Sequence, residues 1–197
     1  MLYVQQSLAP DEELVYVGQF HWMYTTSAAI WVGVGILMTI AVLWIAAYIQ
    51  IFMELNQMYS ISEMPKETFN LAWAQLVEQK GGYLKIVQQS HPGVRIGAFL
   101  CFLGGLYMFA QMMVIKATTE IAITNTRLIY KQGLIARHVG EMSIDRIEGV
   151  NVLQGVLGRL LGYGSVIVRG MGVGEVLLPP IAEPVDFRKA IEKARTL

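Results

Sequence analysis

From Trp22 to Met53 the chain carries no charged residue. The stretch TTSAAIWVGVGILMTIAVLWIAAYIQIF within it exceeds the roughly 20 apolar residues needed to cross a hydrocarbon core. A second run, IGAFLCFLGGLYMFAQMMVI (Ile96–Ile115), is bracketed by Arg95 and Lys116. A buried core helix seldom needs such a length without charge, and two in one short chain are rarer still. The runs therefore predict two transmembrane helices, over 25–53 and 96–115. A cleaved signal peptide is not expected for the first. The leading segment has acids (Asp11, Glu12, Glu13) but no Lys or Arg, the apolar run is too long, and no small-residue cleavage site follows.

Composition agrees with this reading. Charged residues make up 15% of the 197 positions and apolar ones 54%, against about 25% and 45–50% in ordinary soluble domains. The formal net charge is zero, which gives no electrostatic footprint for nucleic acid. The single Cys101 excludes an internal disulfide, and His21, His91 and His138 have no ligand spacing between them. No metal or other cofactor is expected. Lys and Arg are absent before the first span, four in segment 54–95 and eleven in 116–197. That distribution favours both termini in the cytoplasm, with the chain crossing its membrane twice.

Small residues recur at four-residue spacing in both runs: Gly97, Cys101 and Gly105 in the second, Ala29 and Gly33 in the first. Such faces let helices approach closely, either span against span or protomer against protomer. Between the spans, segment 54–95 contains KETFNLAWAQLVEQK after Pro65 and before Gly81-Gly82, the punctuation of a helix. Phe69, Ala72, Trp73, Leu76 and Val77 form one apolar face on it. A partner or another part of the protein, or the membrane surface, would have to cover that face; disorder is the remaining alternative.

After Lys116 the period shortens to two. Ile121 and Ile123 alternate with Ala122 and Thr124, and Leu128 and Tyr130 with Ile129 and Lys131, with Asn125 and Gln132-Gly133 as turns. GSVIVRG and GEVLLPPI are further strands. EPVDFRKAIEKARTL closes the chain as an amphipathic helix, with Pro184 in the first turn, acids early and bases late. Phe187, Ala190, Ile191 and Ala194 make its apolar stripe. Segment 116–197 is thus a small α+β domain on an antiparallel sandwich or partly open barrel.

Several local patterns in this domain go together: TxxRL at Thr124–Leu128, IDRIxxV at Ile144–Val150, QxxLGRLLGYGSV at Gln154–Val166, and PxxF at Pro184–Phe187. The combination resembles the bacterial pleckstrin-homology (PH) domain family, in particular a small two-span membrane branch long known only as a domain of unknown function. The likeness covers about 118–195 in detail and ELVYVGQFHW (13–22) more loosely. It implies about seven strands closed by a C-terminal helix, with segment 1–24 contributing a strand, and no enzymatic activity. PH folds elsewhere bind lipid headgroups or proteins, so fold alone does not choose between them.

The glycine-rich LQGVLGRLLGYGSVIV (153–168) is the one stretch that looks like a ligand loop. A dinucleotide or phosphate loop would lead into a helix, whereas Gly162 and Gly164 lead into SVIV, and no Walker, HExxH or GxSxG pattern occurs. LGRLLG is expected to be a short helical turn with Leu157, Leu160 and Leu161 turned to the core. Asp145, Arg146 and Glu148 are expected to form a salt-bridged loop, with Arg159 pairing to Asp145 or Glu148. Headgroup binding needs clustered bases at the membrane, for which Arg127, Lys131 and Arg137, with His138, are the candidates on one hairpin. The resulting expectation is a non-enzymatic, membrane-anchored interaction or assembly protein, a homo-oligomer or subunit of a membrane-protein complex. A lipid-headgroup or lipid-handling factor is the alternative, and no small-molecule substrate is indicated.

Overall fold

The computed structural model describes residues 2–59, 64–133, 138–172 and 174–196. They fall into two compact units, Met1–Ala28 with Gln111–Leu197, and Ala29–Ala110.

In the first unit, among the described residues, seven strands form two antiparallel sheets. Strands β1 (Leu14–Gly18), β2 (Glu120–Thr124), β3 (Arg127–Gln132) and β4 (His138–Ser143) make one sheet in that order. β5 (Ile147–Leu153), β6 (Tyr163–Gly170) and β7 (Gly174–Ala182) make the other. β1 comes from ELVYVG, ahead of the first apolar run, and pairs Gly18 with Ile121 across more than a hundred residues of sequence. Alternation decides which side chains enter the core. Ile121, Ile123 and Leu128 of the first sheet meet Val166, Val168, Leu178 and Ile181 of the second. The C-terminal helix, here α7 (Pro184–Ala194), inserts Phe187, Ala190, Ile191 and Ala194 into the same core. The ring of Phe187 is fully buried and meets Tyr16 edge-on at 5.9 Å between centroids.

The outer face of the four-stranded sheet is covered over β2 and β3. A short helix, α1 (Leu2–Ser7), lays Val4 on Ala122 and Ile129. This is why β2 is buried on both faces apart from its first residue.

The second unit lies within two long helices and their connection. α2 (Trp22–Met58) and α5 (Pro92–Thr118) are joined by α3 (Lys66–Gln79) and α4 (Tyr83–Gln89). At a rise of 1.5 Å per residue, α2 is about 55 Å long and α5 about 40 Å, so both outrun a hydrocarbon core of about 30 Å and extend past the expected limits 25–53 and 96–115. The helices cross most closely at Gly35 and Gly105. A Cβ on Gly105 would sit 2.7 Å from the Trp31 carbonyl oxygen and 2.8 Å from the Gly35 Cα. The Thr39 hydroxyl donates to the Ala98 carbonyl, 3.0 Å, across the same crossing. Within the chain, only part of the expected small-residue face makes the span-to-span contact. Gly105 and Cys101 belong to the crossing, but a Cβ added to Gly33 or Gly97 would meet nothing within 4 Å, because the contact runs through Gly35, two positions from Gly33.

The apolar face of α3 is covered by the chain itself. Phe69, Ala72, Trp73, Leu76 and Val77 pack with Ala47, Ile51 and Leu55 of α2 and Ile86 of α4. An ion pair from Lys80 to Glu54 closes this cluster. Gly81 and Gly82, at φ 78° and 90°, supply the left-handed backbone that turns α3 into α4.

Candidate functional site

The basic hairpin is the first candidate, and the structure occupies its charges. Arg127 begins β3, where Nε and Nη2 donate to the two carboxylate oxygens of Glu12 at 2.9 and 2.8 Å. Nη1 donates to Glu141 at 2.7 Å and Nη2 also to the Ser7 carbonyl at 2.7 Å. Glu12 is as fully engaged: it accepts from the Thr124 hydroxyl (2.7 Å), the Thr126 hydroxyl (3.0 Å) and the Ala9 N–H (3.0 Å). Its side chain is 2% exposed. The Arg127 guanidinium holds the Glu12 carboxyl at about 2, down from 4.5; burial pushes the other way and the Ala9, Thr124 and Thr126 donors assist.

Lys131, four residues on, points at Glu120, with Nζ 3.5 Å from the carboxylate and a mostly buried side chain. Glu120 also accepts the N–H groups of Val4 (3.1 Å) and Tyr3 (3.5 Å). Burial raises its pKa, but those two N–H donors and the Lys131 charge outweigh it and hold the carboxyl below the usual range. Arg127 and Lys131 are therefore ties that strap the N-terminal segment to the sheet. In the expected headgroup cluster these two bases are thus engaged within the chain: each already faces a carboxylate that the sequence places more than ten residues away. His138 is exposed at the start of β4, opposite Gln132. Arg137 lies outside the described residues.

The glycine-rich stretch is the second candidate. It is the connection between β5 and β6, built around a short helix, α6 (Val156–Leu161). Gly162 ends that helix at φ 76°, ψ 30°, in the left-handed cap region that glycine enters freely. Gly164, second in the next strand, lies against the Leu153 carbonyl oxygen, which a Cβ would approach to 2.7 Å. The Gln154 amide donates to the Tyr163 carbonyl at 3.0 Å and bridges the turn. These contacts are architecture; both glycines are needed for the hairpin.

Three expectations on this stretch are corrected. Leu157 and Leu160 are not core residues: they are 61% and 80% exposed, and Val156 is 88% exposed. Leu161 is half-buried. The helix is too short to bury one face while its two ends are pinned by β5 and β6, so its apolar side chains are left outside. No ion pair joins Arg159 to Asp145 or Glu148, nor Arg146 to either acid. Asp145 and Arg146 lie in a 3-10 turn, Ile144–Arg146, whose Ile144 is buried while both charges face outward.

Sequence reasoning missed Glu12 as the partner of Arg127, Glu120 as the partner of Lys131, and Gly35. The first lies 115 positions from Arg127, and no local spacing marks such a pairing. Among the described residues, no group of three or more His, Cys, Asp or Glu converges as a metal site.

Two antiparallel sheets of four and three strands, with a helix at the C-terminus packed into their shared core, define the layout of a PH-like domain. The chain belongs to the bacterial PH domain family, whose model matches residues 70–195. No curated protein and no solved structure matches it. The matched span opens inside α3 and takes in α4 and α5, while β1, the edge strand of the first sheet, lies ahead of it. Family membership is consistent with a general role in protein or lipid interaction, and PH domains are in general binding modules rather than catalysts.

Proposed function

We propose that the protein is a membrane-anchored, non-enzymatic interaction or assembly factor. In this reading α2 and α5 cross the bacterial inner membrane as a hairpin, over 25–53 and 96–115. The termini and the PH domain, 116–197 with the strand from 1–24, lie in the cytoplasm, and 54–95 lies on the other side. The observation that carries it is the surface of the long helices. Only 11% of the most apolar 18-residue window of each is buried within the chain, and Leu37, Trp44, Phe99 and Tyr107 stand more than half exposed. A core helix of a soluble protein would be covered by its own chain, and these are not.

Self-association or contact with partner membrane proteins is supported by the faces that the hairpin leaves unfilled. Gly33 and Gly97 have open space beside them, and small residues facing lipid are the positions where a second span can approach closely. The lipid-headgroup alternative is less favoured at two of its bases, since Arg127 and Lys131 are held by Glu12, Glu141 and Glu120. Light scattering on the protein purified in mild detergent tests the assembly. A defined oligomer or a stoichiometric co-purifying membrane protein is expected; a strict monomer with nothing bound contradicts it. Extraction of the protein from membranes by alkaline carbonate would contradict the anchor itself.

A further inference from the structure

The exposed apolar helix α6 lies at the end of the sheet from which the chain enters α2. Tyr163, the first residue of β6, pairs with Ala182 of β7. The Ala182 N–H donates to the Gln19 carbonyl at 2.8 Å, and Phe20 forms an antiparallel bridge with Ile181. His21 then stacks on the Tyr163 ring, with centroids 5.3 Å apart and planes 25° from parallel. The next residue, Trp22, is the first of α2 and is 57% exposed. The base of the apolar helix and the α6 connection are thus tied to the same two strand ends. The last turn of α5 is held there too, by a hydrogen bond from Lys116 to Thr25.

We infer that α6 is a third membrane contact: Val156, Leu157 and Leu160 sink into the headgroup–acyl boundary of the bilayer that α2 enters, and Arg159 reaches lipid phosphate. This rests on the membrane-anchored reading above. Three apolar side chains on one six-residue helix are exposed to a degree that water disfavours, and Leu153, at the end of the adjoining strand, extends the patch. Trp22 and Tyr163 supply the aromatic residues typical of that depth. Arg159 is exposed, and no ion pair holds it among the described residues; a long guanidinium side chain can reach phosphodiester oxygens while its stem stays in the apolar layer. A helix of this kind lies in the interface rather than across it. A protein partner would need its own reason to sit at the base of the span. The bilayer is there already once α2 crosses it.

Spin labels on the full chain test the inference. In a Cys101→Ser background reconstituted into phosphatidylcholine–phosphatidylglycerol vesicles, single cysteines replace Leu157, Leu160, Lys193 or Ile40. Collision with oxygen, which concentrates in lipid, is compared with collision with a water-soluble nickel chelate. Labels at 157 and 160 are expected to favour oxygen several-fold over the label at 193, and Arg159→Glu should move them toward the aqueous value. Equal, aqueous values at 157, 160 and 193 with a lipid value at 40 would overturn the α6 contact and leave the anchor standing. An aqueous value at 40 would overturn both. Labels at 157 and 160 shielded from both reagents would show a protein cover, a second copy or another chain, in place of lipid. No response to Arg159→Glu would remove the phosphate contact.

Discussion

Arg127 is the residue on which the N-terminal segment depends. Its guanidinium is shared between Glu12, Glu141 and the Ser7 carbonyl, and Glu12 has no water to turn to when that partner is lost. Removing one member of such a buried pair costs about 3–5 kcal/mol. Arg127→Met is therefore expected to lower the thermal midpoint more than Glu12→Gln. In the second case Arg127 keeps Glu141 and partial access to solvent, and the new amide keeps a hydrogen-bonding oxygen. Equal effects would contradict the asymmetry. The pair also sets an acid dependence. The folded Glu12 carboxyl is depressed from 4.5 to about 2, so its stabilising contribution is complete above about pH 4.5 and is lost as pH falls through about 2. Arg127→Met should flatten the stability profile across that window.

At the scale of elements, the crossing of α2 and α5 has one narrow point. A side chain at Gly105 would press on the Trp31 carbonyl and the Gly35 backbone, neither of which can rotate away. Gly105→Val is expected to destabilise the detergent-solubilised protein by about 1–3 kcal/mol, read as a lower midpoint of helix unfolding. Gly33→Val, with open space around it, should leave that midpoint unchanged in the monomer; a similar loss at both would show that the crossing runs elsewhere. The four-residue spacing of small side chains is visible in sequence, but the rotation of each helix about its axis is not. Gly35 therefore escaped notice while Gly33 drew it. The strands were legible for the opposite reason: Ile121, Ile123, Val166 and Val168 alternate with residues that cannot share their face, and period two leaves a single choice. The amphipathic face of α3 was equally plain, but which surface covers it depended on α2 continuing helical to Met58. α6 misled because a leucine-rich turn reads as core wherever it occurs. Only the strand ends that pin it show that it has no interior to face.

For the molecule as a whole, the family likeness begins partway into the chain and the fold does not. The first sheet takes its edge strand from residues ahead of α2 and its other three from residues after α5. The PH-like domain is therefore completed only when both ends of the hairpin return to one place, which, if α2 and α5 cross a membrane as proposed, lies on one side of it. An isolated 116–197 fragment lacks β1 and α1 and is therefore expected not to reproduce the whole domain. The most direct test is sided labelling in the Cys101→Ser background with one cysteine at Gln75 on α3 or at Lys193 on α7, using a maleimide that does not cross membranes. Labelling of Gln75→Cys in intact spheroplasts, with Lys193→Cys labelled only in inverted vesicles, is the predicted result; both positions labelled from the same side would contradict the transmembrane hairpin.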